Sequence, residues 1–411
     1  MIRTSTLIGA AAAGLLLGIA ACHNDELFRP DAITPIDPLF ARYVSMGNSI
    51  AAGFESGGIN DSVQVHSFPN LLARQMHTQF TIPLLNRPGC PPPLVNIFTR
   101  TVVGPPLPPA LPCALRKTPA VTAPFLNNVA VPGAAVEDLL SNLSGSSNPN
   151  VLTTILLGGL SQTQAMLRAN PTFVTVEIGS NDVVGAATDT ANGGDPAKVT
   201  APAVFAARYD SILDAIDTTP AAGKGVLIGA LDPAGAPFFS YGHIYLGAKL
   251  SGALPTNFIV TPSCAPQALG GVGDTTLVPF IYGFGLIGAA LADPGGTYIL
   301  DCLDDHNITS GELANLHAAV AGYNSHIASE ATARGYAFVD PNVLIAALRA
   351  DTTQVAVFPH PPPDPRAVTA PFGLALSRDG IHPSAASHKA FANALVQAIN
   401  AKYATDLQPV P

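Results

Sequence analysis

A serine on a turn, two turn-borne hydrogen-bond donors and an Asp–His pair follow one another along this chain in an order that suits nucleophilic chemistry. The first segment, Gly47-Asn48-Ser49-Ile50-Ala51-Ala52-Gly53, comes directly after the apolar run Phe40–Gly47. A serine at a strand-to-helix turn presents its hydroxyl and a backbone N–H together. The second is Asn128-Val129-Ala130-Val131-Pro132-Gly133-Ala134, where a glycine lets backbone N–H groups approach a substrate oxygen. The third, Gly179-Ser180-Asn181-Asp182, follows the run Thr172–Ile178 and offers a side-chain amide able to donate to an oxyanion. The fourth is Asp379-Gly380-Ile381-His382-Pro383. An Asp three residues before a His sets a carboxylate on the ring Nδ1–H and leaves Nε2 free as a base. Singly, each has a plainer reading as a helix cap, a tight turn, a pair of turn residues or an Asp-Gly turn beside an exposed His.

The elements that would have to hold these residues alternate between strands and helices. Short runs rich in Val, Ile and Phe at Phe40–Gly47, Leu126–Val131, Thr172–Ile178, Gly225–Leu231 and Tyr336–Val339 read as buried strands. A helix is expected over Ser310–Arg334, with Leu313, Leu316, Val320, Tyr323 and Ile327 on one face and a capping box of Thr309 with Glu312. A second is expected over Ala385–Tyr403, with Phe391, Leu395, Val396 and Ile399 as its apolar face. Such alternation implies an α/β domain with a mostly parallel sheet covered on both faces. Sheets of this kind place their sites at the carboxyl ends of strands, and all four segments fall there.

In that arrangement the chain resembles the SGNH hydrolases, also called GDSL lipases and esterases, a family named for a Ser, Gly, Asn and His in separate blocks. The stretches NNVAVPGAAVEDLL and DGIHPSAASHKAFANAL look like two of those blocks. The resemblance implies a three-layer α/β/α, flavodoxin-like fold over residues 39–404, with long loop insertions at about 88–124 and 233–305. It implies Ser49 as nucleophile, His382 and Asp379 as its partners, and an oxyanion hole of Ser49, Gly133 and Asn181. It also implies hydrolysis of a small-molecule or lipid ester through an acyl-enzyme, with no metal or organic cofactor required. One residue departs from the family pattern, because Asn48 stands where the family usually has Asp before the nucleophile. Asn keeps the hydrogen-bonding shape without the charge, and restoring Asp should leave activity present.

Composition sets the outer bounds. The chain has 411 residues, 48% of them hydrophobic and 11% charged, which excludes intrinsic disorder. A net charge of −9 argues against nucleic-acid binding, because nothing would attract a polyanion. Two stretches break the strand–helix pattern, one dense in proline and one rich in glycine. Pro88–Pro124 reads as a loop excursion. Pro233–Asp305 reads as a long, irregular, apolar one whose Phe238, Phe239, Phe280, Tyr282 and Phe284 would suit an acyl chain. Within it, Thr275–Ala292 carries no charge, but Pro279, its three glycines and the lack of flanking Lys or Arg argue for a pocket wall or lid over a membrane span.

The beginning of the sequence reads as an export signal. Arg3 precedes a charge-free stretch, Leu7–Ala21, too short for the roughly 20 residues that span a bilayer. Ile19-Ala20-Ala21-Cys22 resembles a bacterial lipobox, which implies a signal peptide over residues 1–21, lipid on Cys22 and a tether over 22–38. The expectation is an exported lipoprotein held on a membrane of the bacterial envelope. The remaining cysteines, Cys90, Cys113, Cys264 and Cys302, are even in number, as two disulfides in an oxidising compartment require. Of the three connectivities, the local pairs Cys90–Cys113 and Cys264–Cys302 are the simplest. No two cysteines have the C-x-x-C spacing of a metal site, and the other histidines form no metal-binding pattern.

Two rivals to an esterase stay open on sequence alone. One is a carbohydrate O-deacetylase of the same family, although sugar sites favour exposed Trp and Tyr and this chain has no Trp. The other is a non-catalytic surface lipoprotein that binds a glycan or partner, for which the intact Ser, Asn and His would be unnecessary.

Overall fold

β-Branched and aromatic residues in short continuous runs can only be accommodated where both faces of a strand are covered. The computed structural model describes residues 33–105, 114–117, 125–141 and 150–411 and places these runs at its centre. Its strands, in chain order, are β1 (Tyr43–Gly47), β2 (Leu94–Asn96), β3 (Thr101–Val102), β4 (Phe173–Glu177) and β5 (Gly225–Ile228). They continue with β6 (Phe239–Tyr241), β7 (Phe258–Val260), β8 (Leu277–Pro279), β9 (Tyr298–Leu300) and β10 (Ala337–Val339). The central sheet has the order β1-β4-β5-β10 and is parallel throughout. Every residue of β1, β4 and β5 is buried.

The expected strand at Leu126–Val131 does extend the sheet beside β1, but it is not a regular strand. Ser45 N–H donates to the Asn127 carbonyl, while Val129 N–H and Val131 N–H donate to Ser45 and Gly47 carbonyls. The reason for the irregularity is local. Asn128 Oδ1 takes the Ala130 N–H at 3.1 Å and its Nδ2 reaches the Ala51 carbonyl at 2.8 Å. Asn side chains that bond nearby backbone compete with a ladder in this way.

Helices form two layers. Gln162–Ala169 and Ser310–Arg334 both pack on Pro202–Asp217, and Phe68–Gln75 packs on Ala385–Tyr403. The two long helices have the expected bounds, and Thr309 and Glu312 form the expected capping box. Alternation along β4 sends Phe173, Thr175 and Glu177 to one face. Phe173 meets Tyr403 of the last helix edge-on at 5.6 Å, which identifies that face as the side of the C-terminal helix.

The Pro233–Asp305 excursion is more ordered than its glycines and prolines suggest. It holds helices Gly242–Leu250 and Phe280–Ala292, an antiparallel pair β6–β8 and a parallel pair β7–β9. Its phenylalanines pack on one another: Phe280 stacks on Phe284 at 4.6 Å and meets Phe238 and Phe372. They are part of the hydrophobic core, not the wall of an acyl pocket. Cys264 and Cys302 are disulfide-bonded, as expected. The Cys90–Cys113 pairing involves Cys113, which lies outside the described residues, as do the signal segment 1–21, Cys22 and most of the 22–38 tether. The other excursion contains the short β2–β3 hairpin in its described part. Among the described residues no helix is long and apolar enough to cross a membrane.

Candidate active site

The register of the sheet decides which loops meet. Gly47, Glu177 and Ile228 are aligned across β1, β4 and β5, so the chain leaves all three strands at the same level. Gly47 has φ +152°, and a Cβ there would lie 2.4 Å from the Glu177 carbonyl oxygen. Only glycine permits that approach. Immediately beyond it, Asn48 caps the short helix Ser49–Ala52 by accepting from Ile50 N–H at 3.0 Å. Ser49 therefore occupies the first helical position, where its own N–H has no intrahelical acceptor.

His382 reaches this serine from the far end of the chain. Its Nε2 lies 2.9 Å from Ser49 Oγ, and its Nδ1 lies 2.9 Å from Asp379 Oδ2. An ionised carboxylate only accepts, so Nδ1 carries the ring proton and Nε2 accepts from the Ser49 hydroxyl. Burial pushes the Asp379 carboxyl up, but the adjacent His382 charge and hydrogen bond, with the N–H groups of His382 and Ile381, outweigh it and hold Asp379 at about 2. Gly57 N–H adds a further donor at 2.5 Å. The Phe54 ring lies 4.8 Å from the imidazole and walls it on one side.

Asn181 follows β4 and lines the same cavity of about 250 Å³ as Asn48, Ser49 and His382. Its Nδ2 donates to the Ala134 carbonyl at 2.8 Å, which ties the Asn128–Ala134 segment to the end of β4. Gly133, next to that carbonyl, has φ +83°, and among the described residues a Cβ there would meet only Asn150 Nδ2, at 3.3 Å. Its backbone conformation, more than space, calls for glycine. Gly133 is exposed and does not line the cavity itself. Most of the cavity wall is apolar, from Ile50, Val184, Leu231, Ile345, Leu376 and Ile381, and the start of the excursion adds Pro233 and Pro237.

Two residues at the site were not legible as functional. Glu177 is 2% exposed, and its Oε1 accepts from Asn48 Nδ2 at 2.9 Å. Burial pushes its carboxyl up to about 8, against hydrogen bonds from the Asn48 side chain and the Ala51 and Asn48 N–H groups. The aspartate expected to be tolerated at position 48 would thus face a second carboxyl. Asn128 is the other residue, since its amide holds the Ala51 carbonyl of the nucleophile's helix. The NNVAVPG segment was the only signal for it, whereas Glu177 gave none.

The remaining histidines take other places. His388 is buried, and its Nδ1 accepts from Phe68 N–H at 3.3 Å. Burial pushes it down to about 3, so it is a neutral core residue. Asp210, His326 and Glu330 have ligand atoms within 4.8 Å of one another, the donor set for a cation. They are mutually or otherwise engaged, with His326 on Asp210 at 2.7 Å and Glu330 on Arg334 at 2.8 Å. None of the three lines the cavity.

A parallel α/β sheet with a Ser–His–Asp chain at its carboxyl edge defines a class of hydrolase-like folds. Residues 43–395 match the family of GDSL-like lipases and acylhydrolases, and the chain belongs to that family, one of ester hydrolases. The solved structures similar to it include an extracellular lipase from Streptomyces rimosus, at 17% identity and TM-score 0.38, covering 87% of this chain and 99% of that one. A phospholipase A1 from Streptomyces albidoflavus NA297 has 14% identity and TM-score 0.37, covering 88% and 99%. A mutant of an acetyl-xylooligosaccharide esterase from Geobacillus Stearmophilus has 13% identity and TM-score 0.37, covering 87% and 94%. A search of curated proteins finds no match to this chain.

Proposed function

We propose that this chain is a serine esterase that cleaves carboxylic esters through an acyl-enzyme on Ser49. The observation that carries the reading is the continuous Asp379–His382–Ser49 chain, with both contacts at 2.9 Å. His382 Nε2 takes the hydroxyl proton as Ser49 Oγ bonds to the ester carbonyl carbon. The carbonyl oxygen becomes an oxyanion, which the Ser49 N–H, the Gly133 N–H and the Asn181 amide would stabilise; each such donor is worth about 2.7–4 kcal/mol in the barrier. As the carbon–oxygen bond to the leaving alcohol breaks, His382 returns the proton to that oxygen. Water then attacks the acyl-enzyme, losing its proton to His382, and the acid leaves as Ser49 regains its hydrogen.

The apolar wall of the 250 Å³ cavity favours an acyl chain over a sugar as the group bound beside Ser49. The test is steady-state hydrolysis of nitrophenyl esters of increasing chain length by wild type and S49A. The reading predicts Ser49-dependent turnover; equal rates for the two proteins, or none for wild type, would overturn it.

We further propose that Cys22 is the mature N-terminus and carries lipid, which would anchor the enzyme to a bacterial membrane. The lipobox-like Ile19-Ala20-Ala21-Cys22 supports it. One acyl chain binds only marginally, so stable anchoring takes more than one. Mass spectrometry of the mature N-terminus checks this; an unmodified Cys22 refutes it.

A further inference from the structure

Asn48 is fastened to Glu177 twice. Its backbone N–H donates to the Glu177 carbonyl at 3.2 Å, and its side-chain Nδ2 donates to Glu177 Oε1 at 2.9 Å. The same side chain accepts from Ile50 N–H at 3.0 Å and lies 3.5 Å from Ser49 Oγ. The turn on both sides of Ser49 therefore hangs on the Asn48 side chain, which is held by a buried carboxyl that no step of the proposed reaction uses.

We propose that Asn48 and Glu177 are a matched amide–carboxyl pair that positions the nucleophile turn, so that position 48 must be an amide while position 177 is a carboxyl. The inference rests on Ser49 being the nucleophile and treats both partners as positioning residues. An aspartate at 48 would cap the helix as well as asparagine does. Its second oxygen would, however, face Glu177 Oε1, acceptor against acceptor. Two buried carboxyls in contact cannot both ionise, so such a pair holds only while one proton is shared. The wild-type amide donates whether Glu177 is protonated or not.

The surroundings offer no charge to relieve the conflict. On the Ser49 turn the facing group is the Asn48 amide. Across a cavity of about 50 Å³, the C-terminal helix presents Ser387 and neutral His388, and the helix Pro341–Arg349 presents leucines and Ile345. Among the described residues Glu177 Oε2 has no hydrogen-bond partner, and none supplies a cation or donor from that side.

The pair can be inverted without changing its volume. In N48D/E177Q the glutamine amide donates to the new aspartate, which still accepts from Ile50 N–H. The experiment measures kcat and KM of the full-length protein on a short-chain nitrophenyl ester at about pH 6, where a shared proton is kept, and at about pH 9, where it is drawn off. The ratio of kcat at the lower pH to that at the higher should rise about tenfold in N48D. It should return to the wild-type ratio in N48D/E177Q, with KM moving little. Thermal melting at the same two pH values should show the same pattern without reference to activity. S49A run alongside separates the two readings: inactive wild type defeats the esterase and leaves the melting curves to judge the pair. An N48D protein that tracks wild type at the higher pH, or a double variant no better than N48D, overturns the pairing.

Discussion

Asn181 holds the Ala134 carbonyl with one of its two amide hydrogens, at 2.8 Å, and so its other hydrogen is available at the cavity that Ser49 also lines. The side chain is thereby fixed before any substrate arrives, which is what makes a donor effective on a developing charge. Asn181→Ala should lower kcat by roughly two to three powers of ten while changing KM little. Asn181→Asp, which keeps the shape but loses both hydrogens, should be no better. Steady-state hydrolysis of a short-chain nitrophenyl ester reads this out; a change confined to KM would remove Asn181 from the oxyanion site.

Ser49, His382 and Asp379 should behave as one unit. Ser49→Ala and His382→Ala should each abolish nearly all turnover, and the double variant should be scarcely worse, because such groups are strongly non-additive. Asp379→Asn should drop kcat by about four powers of ten, since the amide would favour the wrong imidazole tautomer. Asp379 is held at about 2, so its carboxylate stays ionised and keeps its bond to His382 Nδ1 down to mildly acid pH. Additive losses in the double variant would break the unit apart.

Stability should depend on pH through His388. Its folded-state value is pushed down to about 3 from an ordinary 6.5 by burial. Between those values the unfolded chain binds a proton that the folded chain cannot, so stability is lost as pH falls through that window. His388→Asn keeps an acceptor for Phe68 N–H and removes the titrating group. The variant should be less stable at neutral pH because it opens a void, yet its melting temperature should fall less steeply from about pH 7 to about pH 4. An unchanged slope would place the acid sensitivity elsewhere.

What the sequence disclosed follows from range. β4, β5 and the two long helices were legible because burial and caps leave marks within one element, as in the Thr309–Glu312 box. The Asp379–His382 pair was legible because its partners lie three residues apart. Glu177 was not, because its partner Asn48 is 129 residues away and nothing in the run FVTVE marks an inward-facing carboxyl. The excursion misled for the same reason: β6 pairs with β8 and β7 with β9 in strands of three residues, too short to carry a period.

The Cys264–Cys302 disulfide should matter to the excursion more than to the sheet. It closes a loop with a sequence separation of 38, for which loop-closure entropy predicts at most about 4 kcal/mol of stabilisation. The bond joins the end of β7 to the end of β9, while Phe280 and Phe284 of the helix Phe280–Ala292 pack on Phe98, Phe358 and Phe372 from outside the excursion. C264S/C302S should therefore open the excursion while the central sheet stays folded. Limited proteolysis should show new cuts confined to residues 233–305, and a fall in the denaturant midpoint should accompany them. Because Pro233 and Pro237 line the cavity and Ser49 is held from β1 and β4, KM should rise with kcat largely kept. Cuts spread through the sheet, or a loss of kcat without a change in KM, would show that the disulfide supports the nucleophile directly.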